Sequence, residues 1–519
     1  MKKLDNLEYL KLNKFKRFIY SLLNFFRAIP NAIVGLGKKI LNVFKKFGLK
    51  IVDIFKTIVN TFIKGSWKTR LSYIFMGFGN MSRGQWIKGI FFFLFQVVFI
   101  LYMVFVGGTW LGHLFESFVD PEHTLGITAS TQIYDEILDT YVNVKGDDSF
   151  KIMLYSLLTV FFIIGFIFTW YINIKQNKIM DEIIASGKKL KGDKDDLRSL
   201  VDEQFHKTLL ALPLAGIMLF TVLPLIFMIL VAFTSYGGAK DGYSNLFGWV
   251  GLDNFNELLT WTSGSSNLSA TFGEILSWTL MWAFFATFSN YFLGMAVAML
   301  INKRSIKCKK LWRGVLVLTI AIPQFISLLY VSNLFKDNGL INGLLLDLGI
   351  LKDNTQIIKF WGDPTLARIM VILINIWIGI PHMMLISTGI LMNIPQDLYE
   401  SAKIDGANSW QQYFKITLPY MLFVTGPYLL TSFIGNLNNF NVIFLLTGGG
   451  PTNPDYLTTG GTAGDTDLLI TWLFKMTTGA EANYKLASVI GIMIFIVVSA
   501  ISLIIYNVMP SNKNEEDYS

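Results

Sequence analysis

The sequence predicts an all-α membrane protein with eight transmembrane helices. Of its 519 residues, 53% are hydrophobic and 15% are charged, whereas soluble domains carry about 25% charged residues. The hydrophobic residues are concentrated in runs near bilayer length, which are typical of transmembrane helices. The 44 Phe residues and the scarcity of alternating strands argue against an outer-membrane barrel. A soluble enzyme is therefore excluded.

Eight predicted spans of 21 to 28 residues succeed one another along the chain, and this length crosses a hydrocarbon core about 30 Å thick. The connections that would face the cytoplasm hold 34 of the 44 Lys and Arg residues, and the outer connections hold six. The positive-inside rule therefore places both termini in the cytoplasm. The spans lie at residues 87–108, 152–174, 209–233, 278–301, 314–334, 367–392, 419–446 and 486–508.

Residues 1–86 carry 17 basic and three acidic residues. Such a basic amphipathic segment lies on an anionic lipid surface, so membrane lipid is a predicted partner. A mitochondrial presequence is the alternative, but presequences favour Arg and this segment is mostly Lys. The apolar residues recur every three or four positions, opposite the lysines, at Ile33, Leu36, Ile40, Phe44, Phe47, Ile51, Phe55, Ile58 and Phe62.

The remaining chain divides into the first two spans (87–174), a charged cytoplasmic linker (175–208), a core (209–508) and a cytoplasmic tail (509–519). The single cysteine, Cys308, cannot form an internal disulfide. The four histidines are scattered, so no metal site is predicted. The net charge of +8 lies mostly in the cytoplasmic segments, which argues against nucleic acid as a partner.

The cytoplasmic loop 396–419 is predicted to form a short helix, a break, and a second amphipathic helix that ends at Pro419. The break falls at Asp405 and Gly406, since glycine adopts the left-handed conformation of a helix end without steric cost. Apolar side chains on an exposed turn would suit docking to a partner. An ordinary helical hairpin between two spans is the alternative.

Two polar stripes occur near the centres of the sixth and seventh spans. The first contains Asn375, Gly379 and His382, and each stripe repeats at i, i+4 and i+7, which places it on one helical face. Buried polar groups at this depth must be paired or face a cavity, and uncharged donors and acceptors suit sugar hydroxyls. Interhelical polar packing is the alternative. The second stripe contains Ser432, Asn436 and Asn439.

The sequence contains no recognisable energy source for transport. Neither Gly37-Lys38 nor Gly187-Lys188 has the spacing of a phosphate-binding loop. None of the eight predicted spans contains Asp or Glu, whereas ion-coupled carriers are expected to hold intramembrane carboxylates. These features favour a transport subunit driven by a partner. A secondary carrier or channel is the alternative, and a membrane enzyme is disfavoured because no nucleophile–base set appears.

The loop 396–419 resembles the EAA loop of permease subunits in bacterial ABC importers, through Glu400-Ser401-Ala402, Gly406, Ile416 and Leu418-Pro419 at the family spacing. Residues 436–441 and 446–451 resemble maltose-type, MalF-like permeases, and the resemblance covers 209–508. It implies a permease subunit without enzymatic activity or a cofactor of its own. It further implies contact with an ATPase subunit through Glu400, Ser401, Ala402, Asp405, Gly406, Ala407, Phe414, Ile416, Leu418 and Pro419.

The resemblance implies import of an oligosaccharide, most simply maltose or maltodextrin. The implied partners are a second, MalG-like permease subunit, an ATPase homodimer that holds ATP and Mg²⁺, and an extracellular sugar-binding lipoprotein. The short loop 234–277 stands where Gram-negative relatives have a large insertion, which suggests the plasma membrane of a Gram-positive bacterium. The implied sugar-binding residues are Asn375, Ile378, Gly379, His382, Ser432, Gly435, Asn436 and Asn439.

The sequence departs from the maltose pattern at two of these positions. His382 and Gly435 stand where aromatic rings would stack against a sugar. This departure leaves open another oligosaccharide, such as a galacto-oligosaccharide.

Overall fold

The computed structural model describes residues 14–119, 124–126, 131–135, 139–144, 146–190, 192–237, 246–260, 268–303, 305–458, 461–479 and 482–508. These residues are mostly helical, which confirms the predicted fold class. The chain divides into two compact units, one of Lys38–Asn254 and one of Phe255–Ser519 with Met1–Gly37. The predicted tail 509–519 lies outside the described residues.

Seven helices of the described chain are long and apolar enough to cross a membrane, and a bent pair of helices makes an eighth candidate span. The pair is Lys309–Ala321 and Gln324–Leu334, with an angle of 89° between them. The predicted span 314–334 therefore falls on a bent pair and not on one continuous helix. Pro323 explains the break, because it lacks a backbone donor and forces the preceding Ile322 into an extended conformation.

The chain up to residue 231 contains nine helices among its described residues. Two π-helical turns, Met103–Gly107 and Met218–Val222, each join the helix before them to the helix after them. Strands β1 (Thr131–Asp135) and β2 (Thr140–Val144) pair as an antiparallel hairpin. The helices are α1 (Lys14–Lys64), α2 (Trp67–Leu71), α3 (Phe78–Met81), α4 (Trp86–Tyr102), α5 (Gly108–Val119), α6 (Ser149–Ala185), α7 (Asp193–Val201), α8 (Phe205–Ile217) and α9 (Leu223–Val231).

Helix α1 presents an exposed apolar stripe, as the amphipathic pattern predicts. The side chains of Phe44, Phe47 and Phe55 are all more than 60% exposed. Arg70 donates to the Phe62 and Ile63 carbonyls at 3.0 and 2.7 Å, which satisfies two acceptors at the end of α1. The location of α1 on a membrane surface stays a prediction, and the side chains of Ile33, Leu36 and Ile40 lie outside the described residues.

Helix α6 continues 11 residues beyond the predicted end of the second span, to Ala185. The predicted linker 175–208 therefore begins inside a continuous helix, and α7 forms much of its remainder. Asp181 explains the extension, because its carboxylate accepts hydrogen bonds from Ser66 and from Thr69 at 2.6 Å. It also pairs with the buried Arg83 at 2.6 Å. This network fastens the segment 66–83 to the end of α6.

The second unit contains two helices that meet through polar contacts near their centres, α11 (Leu268–Asn302) and α15 (Pro364–Leu391). Strands β3 (Thr452–Thr458) and β4 (Gly461–Gly464) form a second antiparallel hairpin. A 3-10 turn spans Asn354–Gln356. The other helices from residue 253 onward are α10 (Asp253–Leu259), α12 (Lys309–Ala321), α13 (Gln324–Leu334), α14 (Leu340–Asp347), α16 (Gln396–Ile404), α17 (Ser409–Gln412), α18 (Leu418–Leu437), α19 (Phe440–Leu446), α20 (Leu469–Thr478) and α21 (Tyr484–Val508).

The apolar core of this unit is formed by α11, α13, α15 and α19, around the fully buried Trp282, Leu328 and Val371. The predicted end of the seventh span, residue 446, is wrong. Helix α18 stops at Leu437, and Asn439 starts α19 by accepting a hydrogen bond from the Val442 amide at 3.3 Å. Asparagine favours such helix starts because its side chain replaces a missing backbone acceptor.

A cap, formed by residues 447–458 and 461–468, is held together by buried polar contacts. Asp467 accepts from Lys475 at 2.6 Å, from the Gly464 amide at 2.7 Å and from Thr471 at 2.8 Å. Burial raises the pKa of Asp467, while Lys475 opposes that rise. Tyr456 donates to Glu274 of α11, and burial together with that carboxylate raises the pKa of Tyr456 to about 12. Tyr456 therefore remains a donor at physiological pH.

We predict that Lys475→Met destabilises this cap by about 3 kcal/mol at neutral pH, because it leaves the Asp467 carboxylate buried without its counter-charge. Without Lys475, the pKa of Asp467 in the folded state rises further. Protonation of the buried Asp467 carboxylate then stabilises the folded state. The loss should shrink as the pH is lowered from neutrality, because the raised pKa of Asp467 favours its protonated form in the folded state, and thermal unfolding in detergent measures it. Adding Asp467→Asn should remove this pH dependence, and a loss that does not change with pH would contradict the prediction.

Candidate functional site

The predicted stripe of the sixth span lies partly against α11. Asn375 is 6% exposed, and a Cβ on Gly379 would stand 2.3 Å from Nδ2 of Asn290. Asn290 donates to the Ala286 carbonyl at 2.9 Å, and its Nδ2 stands 3.5 Å from the Asn375 carbonyl oxygen. Among the described residues, neither Nδ2 of Asn375 nor Oδ1 of Asn290 has a partner. One donor and one acceptor are thus unpaired in the same small region.

The remaining predicted residues of this site differ in exposure. Ile378 packs against the apolar core, whereas His382 and Gly435 are exposed. The His382 ring lies 6.5 Å from the Tyr428 ring, between ring centroids. Ser432, one turn beyond Tyr428 on α18, is half-buried. The two positions that depart from the maltose pattern are therefore the most accessible ones.

Asn436 links α18 to α11. Its side-chain amide donates to the Thr287 hydroxyl at 2.9 Å, and its backbone carbonyl oxygen accepts from the Trp282 indole at 3.1 Å. The prediction that Asn439 continues a helical stripe is wrong, because α18 ends at Leu437. Asn439 still donates to the Asn436 side chain at 3.3 Å, so the turn keeps both amides together.

Helix α11 supplies partners that sequence patterns did not reveal: Asn290 for Gly379, Thr287 for Asn436 and Tyr291 for Thr425. All three lie inside the fourth predicted span. The sequence did offer one signal for these partners, namely polar residues inside a predicted span, because unpaired polar groups are costly within the membrane. Some predicted site residues therefore pack between helices, as in the packing alternative, while others are exposed; their contact with a solute stays a prediction.

The loop 396–419 has the predicted break at Gly406, which ends α16 with φ +77°. The Ala407 amide donates to the Ala402 carbonyl at 2.8 Å, and the Gly406 amide donates to Lys403 at 3.0 Å. These two bonds define a Schellman motif. Asn408 and Gln411 then start α17 with a capping box. The turn is therefore fixed by its backbone hydrogen bonds and by the capping side chains of α17.

The second helix of the loop does not end at Pro419, contrary to the prediction. It runs from Ser409 to Leu437 through a π-helical turn, Tyr413–Thr417, and Pro419 lies in the first turn of α18. Proline lacks a backbone donor, and the shifted bonding of a π-turn lets the helix continue past it. Tyr399 and Thr417 share a hydrogen bond of 2.8 Å, which ties α16 to the base of α18.

The loop exposes an apolar surface beside charged residues. Ile404 is 87% exposed, and Trp410 and Phe414 are exposed with their rings stacked at 6.0 Å. Of the predicted contact residues, Glu400, Ser401, Asp405, Gly406, Phe414 and Pro419 are exposed, whereas Ala402, Ala407, Ile416 and Leu418 are half-buried. Trp410 and Ile404 were not predicted, although both are large apolar residues in an otherwise polar loop.

Comparison with known proteins decides the family. The family described as "Binding-protein-dependent transport system inner membrane component" matches residues 290–512. The maltodextrin transport system permease protein MalC of Streptococcus pneumoniae is 32% identical over 445 residues, which cover 85% of this chain and 95% of that protein. The chain belongs to this permease family. The resemblance inferred from the EAA loop is confirmed.

Two proteins of Bacillus subtilis are also similar to the permease over nearly their whole length. The maltodextrin permease protein MdxF is 30% identical over 466 residues, covering 88% of this chain and 99% of that protein. The galactooligosaccharides permease protein GanP is 30% identical over 454 residues, covering 85% and 97%. The permease is therefore an integral membrane protein of a binding-protein-dependent transport system.

We predict that Asn436→Ala lowers solute uptake by the permease about tenfold while costing only about 0.6 kcal/mol of stability, the average for an interhelical hydrogen bond in a membrane. Transport in cells and thermal unfolding of the purified protein measure the two effects. Asn438→Ala is the matched control, since the exposed Asn438 side chain bonds back to its own helix at Ile434. If Asn436→Ala instead lost subunit assembly, and the assembled fraction transported normally, Asn436 would serve interhelical packing and not solute binding.

We predict that Gly406→Arg abolishes transport by the permease while expression is retained, because a side chain in the left-handed conformation strains the turn and blocks docking. Gly349→Arg is the control, since Gly349 has φ +68° and ends α14 with the same pattern of backbone bonds. Uptake and membrane abundance are measured for both. Normal uptake in Gly406→Arg would exclude a docking role for the turn.

Proposed function

We propose that the permease translocates an uncharged oligosaccharide of the maltodextrin type. The observation that carries the proposal is the unpaired donor of Asn375 beside the unpaired acceptor of Asn290, at the crossing of α11 and α15. A hydroxyl group can donate to one and accept from the other. The names of the Streptococcus pneumoniae and Bacillus subtilis maltodextrin permeases support the same solute class.

The proposed solute site extends from this buried pair to the open positions His382 and Gly435. The other members are Ser432, Asn436, Asn439, Gly379 and Ile378. Gly379 lets the Asn290 amide lie against α15, because any Cβ there would collide with it. Uncharged side chains of this kind orient hydroxyls without favouring an ionic solute.

Energy for translocation is proposed to come from a partner ATPase dimer that holds ATP and Mg²⁺. The loop surface of Ile404, Trp410 and Phe414 would enter a cleft of that ATPase, and its closure would be transmitted to α15 and α18. The Tyr399–Thr417 bond and the continuous helix from Ser409 to Leu437 support a stiff connection for this movement. Movement of these helices would alternate access to the site between the two membrane faces.

The proposed assembly contains a second, homologous permease and an extracellular sugar-binding lipoprotein, with both termini of the permease in the cytoplasm. The lysine and arginine distribution supports this orientation, and the short loop 234–277 supports a Gram-positive plasma membrane. Affinity purification of the permease from native membranes should recover the other subunits in fixed proportion. A permease that purifies alone and transports without ATP would overturn the assembly.

We predict that deleting the permease abolishes uptake of radiolabelled maltotriose and that the wild-type gene restores it. Permease carrying Asn375→Ala should restore at most about one-tenth of that uptake, because a buried amide partner of the solute is lost. Asn438→Ala is again the matched control. Uptake of galacto-oligosaccharides instead of maltotriose would contradict the proposal and would assign to the permease the solute class named for GanP.

A further inference from the structure

An open cavity of about 570 Å³ lies beside one end of α11, and the proposed solute site does not include it. Its volume falls within the range of about 300–1,000 Å³ typical of ligand pockets. Gly273, Glu274 and Ser277 of α11 form an exposed wall, and Arg368 of α15 forms another. The small side chains leave the space open, since a Cβ on Gly273 would meet nothing within 4 Å.

The cavity offers one positive and one negative group that are held in place. The Arg368 guanidinium lies 4.9 Å from the ring centroid of the buried Trp278, and its Nε donates to the Asp465 carbonyl at 2.7 Å. Its Nη2 is a loose 4.0 Å from the Asp465 carboxylate, and the side chain remains 34% exposed. Glu274 is fixed by the hydrogen bond from Tyr456. The lining of the cavity therefore presents one charge of each sign.

An apolar stripe continues from the cavity along the same face of α11. Positions 273, 277, 281, 284 and 288 succeed one another at helical spacing. Met281 and Phe284 are 52% and 51% exposed, and Phe284 contacts Phe288. Gly273–Ser277 lie within about 8 Å of the predicted start of the span at residue 278, at about 1.5 Å per residue. The predicted span boundary therefore puts these residues at the depth of lipid headgroups.

We propose that this cavity binds the headgroup of a zwitterionic glycerophospholipid whose acyl chain lies along the Met281–Phe288 stripe. Arg368 pairs with the phosphate and Glu274 with the ammonium group. The stripe favours an amphiphile over a free sugar, because a sugar would leave this apolar face uncovered. The proposal goes beyond the proposed function and does not depend on which solute is transported.

The test uses the purified permease with its native subunits, exchanged into nanodiscs of phosphatidylethanolamine and phosphatidylglycerol in equal parts. Native mass spectrometry then measures which lipids stay bound. Gly273→Leu fills the cavity and should lower retained phosphatidylethanolamine about tenfold. Gly314→Leu is the matched control, since Gly314 is also helical with open space around its Cβ position but does not line the cavity.

A second variant tests the charge pairing. Glu274→Gln keeps an acceptor for Tyr456 but removes the negative charge, so bound lipid should shift towards the anionic phosphatidylglycerol by about tenfold. Equal retention by wild type and Gly273→Leu, or an unchanged lipid preference in Glu274→Gln, would overturn the proposal. So would loss of solute affinity in Gly273→Leu with unchanged lipid, which would assign the cavity to the solute. Loss of the second permease from that variant would assign the face to subunit contact instead.

Discussion

The absence of water inside a bilayer is the constraint on which the centre of this molecule depends. A polar side chain there must find its partner on a neighbouring helix. Helix α11 provides those partners, since Thr287 meets Asn436 of α18 and Asn290 lies against Gly379 of α15. The three helices are thus joined at the same depth by amides and hydroxyls, with apolar packing above and below.

These central contacts are weak compared with the contacts that shape the loop. Interhelical hydrogen bonds in membranes contribute on average about 0.6 kcal/mol each, so the polar contacts add little to the apolar packing that joins α11 to α15 and α18. The loop, in contrast, is fixed by a Schellman motif at Gly406, a capping box at Asn408 and the Tyr399–Thr417 bond. Under the proposed function, this stiff loop would transmit the movement of a partner to α15 and α18.

Features that depend on local chemistry could be predicted from the sequence. Apolar length located seven spanning helices and the bent pair, and Gly406 located the break in the loop. Features that depend on distant partners could not. The extension of α6 to Ala185 rests on Asp181 meeting Arg83, 98 residues away. The end of α18 at Leu437 rests on Asn439 capping a new helix. Neither pairing leaves a periodic signal in the sequence.

The candidate site combines a buried half and an open half, and the difference bears on how a solute would be recognised. Asn375 is buried against α11, whereas His382, two turns along the same helix, is exposed. Under the proposed function, a solute meets His382 and Gly435 first and reaches the amide of Asn375 only when α11 and α15 separate. Solute binding would then favour the separated arrangement by its additional hydrogen bonds. Recognition and helix movement would therefore be linked at the crossing of α11 and α15, where Asn290 meets Asn375 and Gly379.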